Sequence, residues 1–310
     1  MSISHCAEFV AHPFAVYFDH QTPDSSAHHP NVVMVHGGSH TGSCYLITAE
    51  GKPGWAYRFA ERGYRVAVPD WPGHGRSGAL NLQTLTGEQV CQSLAALISG
   101  LNGPVVLLTH SMGAAFGWRV AELCGDKVTA IVGIAPAPPG NIQPEPEILS
   151  DSEESLVLRT PFRTLTLHNE GAVFATPEFV VDKLVGSSRQ FPLEQLDAYT
   201  SLLTHTGSRL LYERLNVRGS QVRVQNTAYF RGKPVIIVTG SEDLEHPRHV
   251  DEEVANWLSA QGASSQFVWL PDQGIDGNGH MMMMERNSDQ IADLILKWLD
   301  QHRTRVRPQE

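Results

Sequence analysis

A chain of 310 residues, 41% hydrophobic and 18% charged, is long enough for one large domain or two small ones and can bury a sizeable core. Its formal net charge of -10, with no Lys/Arg stripe, argues against nucleic acid and anionic membrane as partners, since either needs a basic surface. No stretch approaches the roughly 18 apolar residues of a membrane span.

The segment MSISHCAEFVAHPF has neither a basic n-region nor an unbroken apolar run, so it does not read as a signal peptide. Cys6, Cys44, Cys91 and Cys124 lack metal or redox spacing, which fits reduced thiols and a cytoplasmic protein. The pair His28-His29 has no third ligand close in sequence and reads as solvated loop, so no metal is expected. Residues 8–20 alternate weakly, as a pair of edge strands would.

Val32 to Val35 form a short apolar strand that runs into HGGSHTG, whose glycines can turn the backbone and expose its amides at a sheet edge. Trp55 to Arg62 has helical spacing and stops at Gly63, and Arg65 to Pro69 is a second strand. Asp70 and the glycine-rich DWPGHGRSG turn are expected to be structural. Thr86 caps a helix whose Val90, Leu94, Leu97 and Ile98 share a face, with Gly100 at its end.

The organising stretch is PVVLLTHSMGAAFG, residues 104–117: a buried strand, a corner at Ser111 and the start of a helix. This is the arrangement of a nucleophile elbow, in which a tight turn lifts a serine hydroxyl above the sheet's carboxyl edge. The usual pattern is G-x-S-x-G; here Thr109 replaces the first glycine, which weakens the match. An ordinary serine helix cap is the alternative. In an elbow, the Met112 amide and an amide of Gly38 or Ser39 would bind an oxyanion.

Val128 to Ile134 is a further buried strand, and the repeated strand–helix alternation indicates an α/β domain with a parallel sheet. The rhythm then breaks. A Pro-rich exit (APAPPGNIQPEPEI) opens a segment of mixed helical pattern with no clear strand, expected to be a helical cap over a pocket. The expected division is a core of residues 1–138 and 231–310 and a cap of residues 139–230. Strands resume at Pro234 to Val238 and Gln266 to Leu270, with a helix from about Val250 to Ala260 between them. Asn287 or Ser288 starts an amphipathic helix bearing Ile291, Leu294, Ile295, Trp298 and Leu299.

Acyl transfer by serine needs a base for the hydroxyl proton, a carboxylate that fixes the base's tautomer, and oxyanion donors. His280, in the loop after the last strand, is the candidate base. Asp243, three residues past Gly240, is the candidate acid, with Glu242 and Glu245 as alternatives. His40 and His110 flank the expected oxyanion hole, and Trp71 and Met281, the first of a methionine run, are candidate pocket walls.

Together HGG after a strand, DWPGHGRSG, HSMG, GSED and GNGH resemble the α/β-hydrolase superfamily, over nearly the whole chain outside the cap. The resemblance implies a mostly parallel central sheet flanked by helices, a cap between strands six and seven, and Ser111, Asp243 and His280 in nucleophile, acid and base order. The segments TGSCYLITAEGKPGW, GHGRSG and GNGHMMMMERNSDQIADLILKW look more closely like a small group of bacterial serine esterases whose acid follows the sixth strand. Here that place is held by Ala135 or a neighbour, with no acid before Glu145, so the acid is Asp243, Glu242 or Glu245, or the triad lacks one. The expectation is a serine esterase or lactonase acting on a largely apolar small molecule without cofactor, with a homodimer left open. Amide or C–C hydrolysis, a lyase or cyclase step, and a non-catalytic ligand receptor are the rival readings.

Overall fold

A computed structural model describes residues 2–24 and 29–302. An antiparallel hairpin, β1 (Ile3–Val10) and β2 (Val16–Pro23), precedes β3 (Asn31–Val35), a short α1 (Ser43–Leu46), α2 (Trp55–Glu61), β4 (Arg65–Pro69), α3 (Gly87–Gly100), β5 (Val105–His110), α4 (Met112–Cys124) and β6 (Val128–Ile134). After the insertion come β12 (Pro234–Thr239), α8 (Arg248–Ala260), β13 (Ser264–Trp269) and α9 (Ser288–Gln301). The expected edge pair is longer than residues 8–20. Thr86 caps α3 through a capping box with Gln89, whereas Asn287, the residue before α9, makes no side-chain cap and instead pairs with Asn278.

The eight strands order as β1-β2-β4-β3-β5-β6-β12-β13, antiparallel between β1 and β2 and between β2 and β4, and parallel elsewhere. Because successive side chains in a strand point to opposite faces, alternate residues divide between two cores. Val32, Met34, Val106, Leu108, Val132 and Ile236 meet α2 and α9 on one face. Val33, Val35, Leu107, Ile131 and Ile237 meet α3, α4 and α8 on the other. The central strands β3 and β5 are buried along their whole length, as continuous apolar runs in a parallel sheet should be. Chain order reverses between β3 and β5, with β4 beside one and β6 beside the other. In an open α/β sheet the crevice outside the carboxyl ends at such a switch point is where ligands bind.

The insertion corrects an expectation, since it is not a helical unit. It holds an antiparallel sheet of β7 (Glu147–Asp151), β8 (Ser155–Arg159) and β9 (Thr164–His168), and a pair of β10 (Ala172–Phe174) with β11 (His205–Gly207). Helices α5 (Pro177–Phe179), α6 (Leu196–Ser201) and α7 (Ser208–Arg214) accompany them, and α5 widens into a π-helical turn, Val180–Val185. SLVLR and TLTLH carry leucines at alternate positions and flank the Pro-containing turn Thr160-Pro161-Phe162-Arg163, which is a hairpin pattern. Their inward leucines, Leu156, Leu158 and Leu167, close on Val217 in a small core of their own.

No helix among the described residues is long and apolar enough to cross a membrane. The four cysteines are free. His29 is half-buried against the Tyr64 ring (centroids 4.6 Å apart) and not solvated, while His28 lies outside the described residues.

Candidate active site

The sheet runs into Ser111 through β5 and leaves it through α4, and the turn between them forces Ser111 to φ 50° and ψ -127°. A non-glycine residue there is strained, and it persists only because its surroundings over-determine it. Ser111 N–H donates to the Ile134 carbonyl (3.1 Å), and the Ser111 carbonyl accepts from Ala114 N–H (2.9 Å) and Ala137 N–H (3.0 Å). At Gly113 a Cβ would lie 2.2 Å from the His36 carbonyl oxygen, so this turn of α4 can approach β3 only without a side chain.

Thr109, the departure from the usual elbow, is accommodated one turn further on. A Cβ on Gly117 would stand 2.5 Å from Thr109 Cγ2, so the missing side chain of Gly117 makes room for the methyl. Gly117→Ala is expected to cost about 1–3 kcal/mol through overpacking, and less in a Thr109→Ser background that lacks the methyl. Denaturant unfolding of the two single variants and the double variant measures this coupling.

Asp243 and His280 come from the loops after β12 and β13. Ser111 Oγ lies 2.9 Å from His280 Nε2, and His280 Nδ1 donates to Asp243 Oδ2 at 2.5 Å. That bond fixes the tautomer, leaving Nε2 unprotonated towards the serine. Burial pushes the imidazole down to about 4 against the pull of Asp243, so His280 is neutral at pH 7. Although burial works against it, Asp243 stays well below the usual carboxylate range because His280 and Lys183 favour its charge. The loop bearing His280 is held from beneath: the buried Glu285 carboxylate accepts from Gly279 N–H (2.8 Å), Ser188 Oγ (2.5 Å) and Asn278 Nδ2 (2.6 Å). Of the three candidate acids, Asp243 alone bonds the imidazole. Glu242 pairs with Arg189 (3.1 Å), and Glu245 with Arg163 (3.1 Å) and Lys183 (3.3 Å). Past β6, Ala135 takes φ 39° and donates to Val238 O (2.9 Å), offering no carboxylate.

The loop after β3 lies against the elbow. A Cβ on Gly37 would be 3.0 Å from Ser111 Cβ, and one on Gly38 would be 3.2 Å from Met112 Sδ. Among the described residues the Gly38 and Met112 amides donate no hydrogen bond. The Ser39 amide differs, since it donates to Thr206 Oγ1 at 2.8 Å and is therefore already engaged. Thr204 N–H donates to the Ser39 carbonyl (2.9 Å). His40 Nδ1 donates to Gly38 O (2.7 Å) and its Nε2 accepts from Tyr199 OH (2.8 Å). Burial pushes His40 down to about 3, so it too is neutral. His110 Nε2 donates to the His280 carbonyl (3.0 Å), making it a support for the loop that bears His280.

Two candidate pocket walls are displaced. Trp71 and Met281 have no accessible surface. Trp71 stacks on His36 (4.4 Å) and meets Phe116 edge-on (5.1 Å), and Met281 packs in the core that contains Tyr45, Trp55 and Ile291. Four adjacent methionines carry no periodicity, so the sequence could not tell a core turn from a pocket lining.

Sequence reasoning missed the insertion's contribution: Tyr199, Thr204, Thr206 and above all Lys183. The Lys183 side chain is 9% exposed, and its Nζ is 3.5 Å from Asp243 Oδ1 and 3.4 Å from His280 Nδ1. It sits on the π-helical turn, a widening often found at functional sites. Behind the site, His246 donates to Asp251 (2.8 Å), whose other oxygen accepts from Thr239 (2.5 Å). One donor atom each of Asp243, His246 and His280 would fit a metal, all lying within 4.8 Å of one another. Asp243 and His280 already bond each other, however, and the Lys183 ammonium beside them opposes a cation. Cys6, Glu8 and His20 on the edge strands form a second cluster of this kind, away from the elbow.

A model of the alpha/beta hydrolase family matches residues 32–294. A probable secreted lipase, phiG, of a fungus (Fungal sp., strain ATCC 74256) is 22% identical over 343 aligned positions, which take in 92% of this chain and 86% of the lipase. A pyrethroid hydrolase of Sphingobium wenxiniae is 29% identical over 102 positions, 33% of this chain and 34% of that one. Among solved structures, a thermophilic esterase of Thermogutta terrifontis superposes with a TM-score of 0.63 at 18% identity, covering 97% of this chain and all (100%) of the esterase.

Proposed function

We propose, on the premise that this chain belongs to the alpha/beta hydrolase family, that it is a serine hydrolase cleaving a carboxylic ester or lactone of a largely apolar small molecule through an acyl-enzyme on Ser111. The observation that carries this is the hydrogen-bonded line from Asp243 through His280 to Ser111 Oγ at the switch point of the sheet. His280 Nε2 takes the serine proton as Oγ attacks the carbonyl carbon, and returns it to the departing alkoxide. The carbonyl oxygen, now an anion, is held by the amides of Gly38 and Met112, which are preorganised and need not turn to meet it. Water then attacks the acyl-enzyme with His280 again as base, releasing the acid and restoring Ser111. The preference for apolar esters draws on the lipase and the pyrethroid hydrolase among the relatives; the methionine run no longer supports it.

Residues 139–230 form the cap in this reading. Three contacts from the insertion reach the oxyanion loop, from Tyr199 to His40 and from Thr204 and Thr206 to Ser39. The cap thus holds the donors in place as well as covering them. Thr206→Val, which keeps the shape and removes the acceptor, is expected to lower kcat about tenfold, the worth of one hydrogen bond of 1.4 kcal/mol, with KM little changed. Steady-state kinetics on one good ester checks it.

A panel of p-nitrophenyl esters of increasing acyl length, with a set of lactones, tests the reaction class. The expected result is a burst of about one p-nitrophenol per chain ahead of the steady state. Absence of turnover on every ester and lactone, together with cleavage of an amide or a C–C bond, would overturn the ester assignment.

A further inference from the structure

We infer that Lys183 is a positioning residue through which the cap sets the protonation range of the catalytic base: its ammonium, wedged against the Asp243–His280 pair, keeps the imidazole in its base form in acid. This rests on the serine-hydrolase reading above.

The geometry is specific. Asp243 gives one oxygen to His280 and turns the other, Oδ1, towards Lys183 Nζ (3.5 Å) and the Glu245 amide (3.2 Å). Lys183 reaches this place from the cap, and its remaining ion-pair partner is Glu245 (3.3 Å). Its Nζ is 3.4 Å from His280 Nδ1, an atom that already carries a proton for Asp243, so the ammonium and an imidazolium there repel each other. The buried setting makes the repulsion strong, because little water screens it.

Of the groups around the base, His246 also disfavours a charged imidazole, but less than Lys183 does, and the others do not supply this charge. Behind it, His246 is 5.2 Å away between ring centroids and donates to Asp251. From β5, His110 is kept neutral by burial, as is His40 from the loop after β3. Arg163 from the cap is paired with Glu245, Arg214 acts on that same Glu245 from further off, and Glu285 lies beneath the loop with its proton affinity raised by burial. Lys183 is thus the cation in contact with the Asp243–His280 pair among the described residues. Neutral His280 is favoured by burial first, and Lys183 adds to it against Asp243.

With the Lys183 ammonium withdrawn, Asp243 and Glu245 remain, and the imidazole becomes easier to protonate.

The test is the pH dependence of the second-order rate at which a fluorophosphonate labels Ser111, which reports the base in the free enzyme and needs no knowledge of the substrate. In the unaltered protein the acid limb should lie below the ordinary imidazole value of about 6.5. Lys183→Met should move it up by at least about one pH unit, cutting the rate one unit below the variant's limb at least about fivefold beyond any change it makes at pH 8. Lys183→Arg, which keeps the charge, should restore the original limb. Should the methionine variant fail to fold, Lys183→Gln carries the same test. An acid limb at or above about 6.5 in the unaltered protein overturns the proposal. So does an uncharged variant whose rate falls equally at all pH values, the mark of a merely structural role. Failure of the unaltered protein to be labelled at Ser111 would instead sink the serine-hydrolase reading.

Discussion

Ser111→Ala is expected to abolish turnover, with a loss on the order of 10⁶ in kcat, the scale at which removal of the nucleophile disables a serine hydrolase. In the proposed mechanism the hydroxyl bonds the acyl carbon, so no neighbouring group substitutes for it; what remains is the contribution proposed for the Gly38 and Met112 amides. The loss should not come from unfolding. The backbone bonds that hold the corner, from Ser111 N–H to Ile134 and from Ala114 and Ala137 to the Ser111 carbonyl, are main-chain bonds that alanine keeps. Alanine also keeps the strained φ of 50°, whereas Ser111→Gly relieves it. The glycine variant should therefore be as inactive and more stable than the alanine variant, by on the order of 1 kcal/mol. Activity assays beside denaturant midpoints of the two variants separate chemistry from fold. An alanine variant that keeps more than a few per cent of turnover would remove Ser111 from the mechanism.

Asp243→Asn should be the second most damaging change, with a drop of about 10⁴ in kcat and an intact fold. The asparagine amide offers His280 Nδ1 either an NH₂ donor or a neutral oxygen, and the first choice turns the proton onto Nε2, where it blocks the serine. It also leaves the Lys183 ammonium beside a neutral group, with Glu245 as its one remaining carboxylate at 3.3 Å. The companions sharpen the result. Glu242→Gln removes a partner of the exposed Arg189 and should leave kcat within about twofold, as surface ion pairs contribute little. Glu245→Gln should cost more, since Glu245 is shared between Arg163 and Lys183, but less than about tenfold. If Glu245→Gln proves the more damaging, the orienting role belongs to that carboxylate and the sidedness of the site is different.

How much of this was legible in the sequence depends on how local the signal is. The elbow was, because an apolar run, a serine and small residues are adjacent, and a buried strand feeding a helix leaves few other shapes for them. Asp243 was legible from Gly240, since the end of a parallel strand limits where a carboxylate three residues on can go. The Thr109 substitution read as a weakness because its compensation, Gly117, lies one turn into α4 and concerns a contact, not a motif. The insertion reads as helical in sequence because its period-two segments, β8 and β9, are only five residues long each and are separated from the other strands by turns and short helical turns. Lys183, Tyr199 and Thr206 were out of reach for another reason: each acts across the seam between insertion and core, on partners 60 to 167 positions away in sequence. Trp71 and Met281 show the converse error, in which proximity to a site in sequence suggested a lining role for side chains that the fold needs for its core.

The central claim is that Ser111 is a nucleophile activated by His280. It is tested most directly by treating the protein with a fluorophosphonate and locating the adduct by peptide mass spectrometry. One adduct per chain on the peptide that contains Ser111, absent from Ser111→Ala and strongly slowed in His280→Ala, is the result expected here. An unlabelled protein that is folded, or an adduct that persists unchanged in Ser111→Ala, would contradict it.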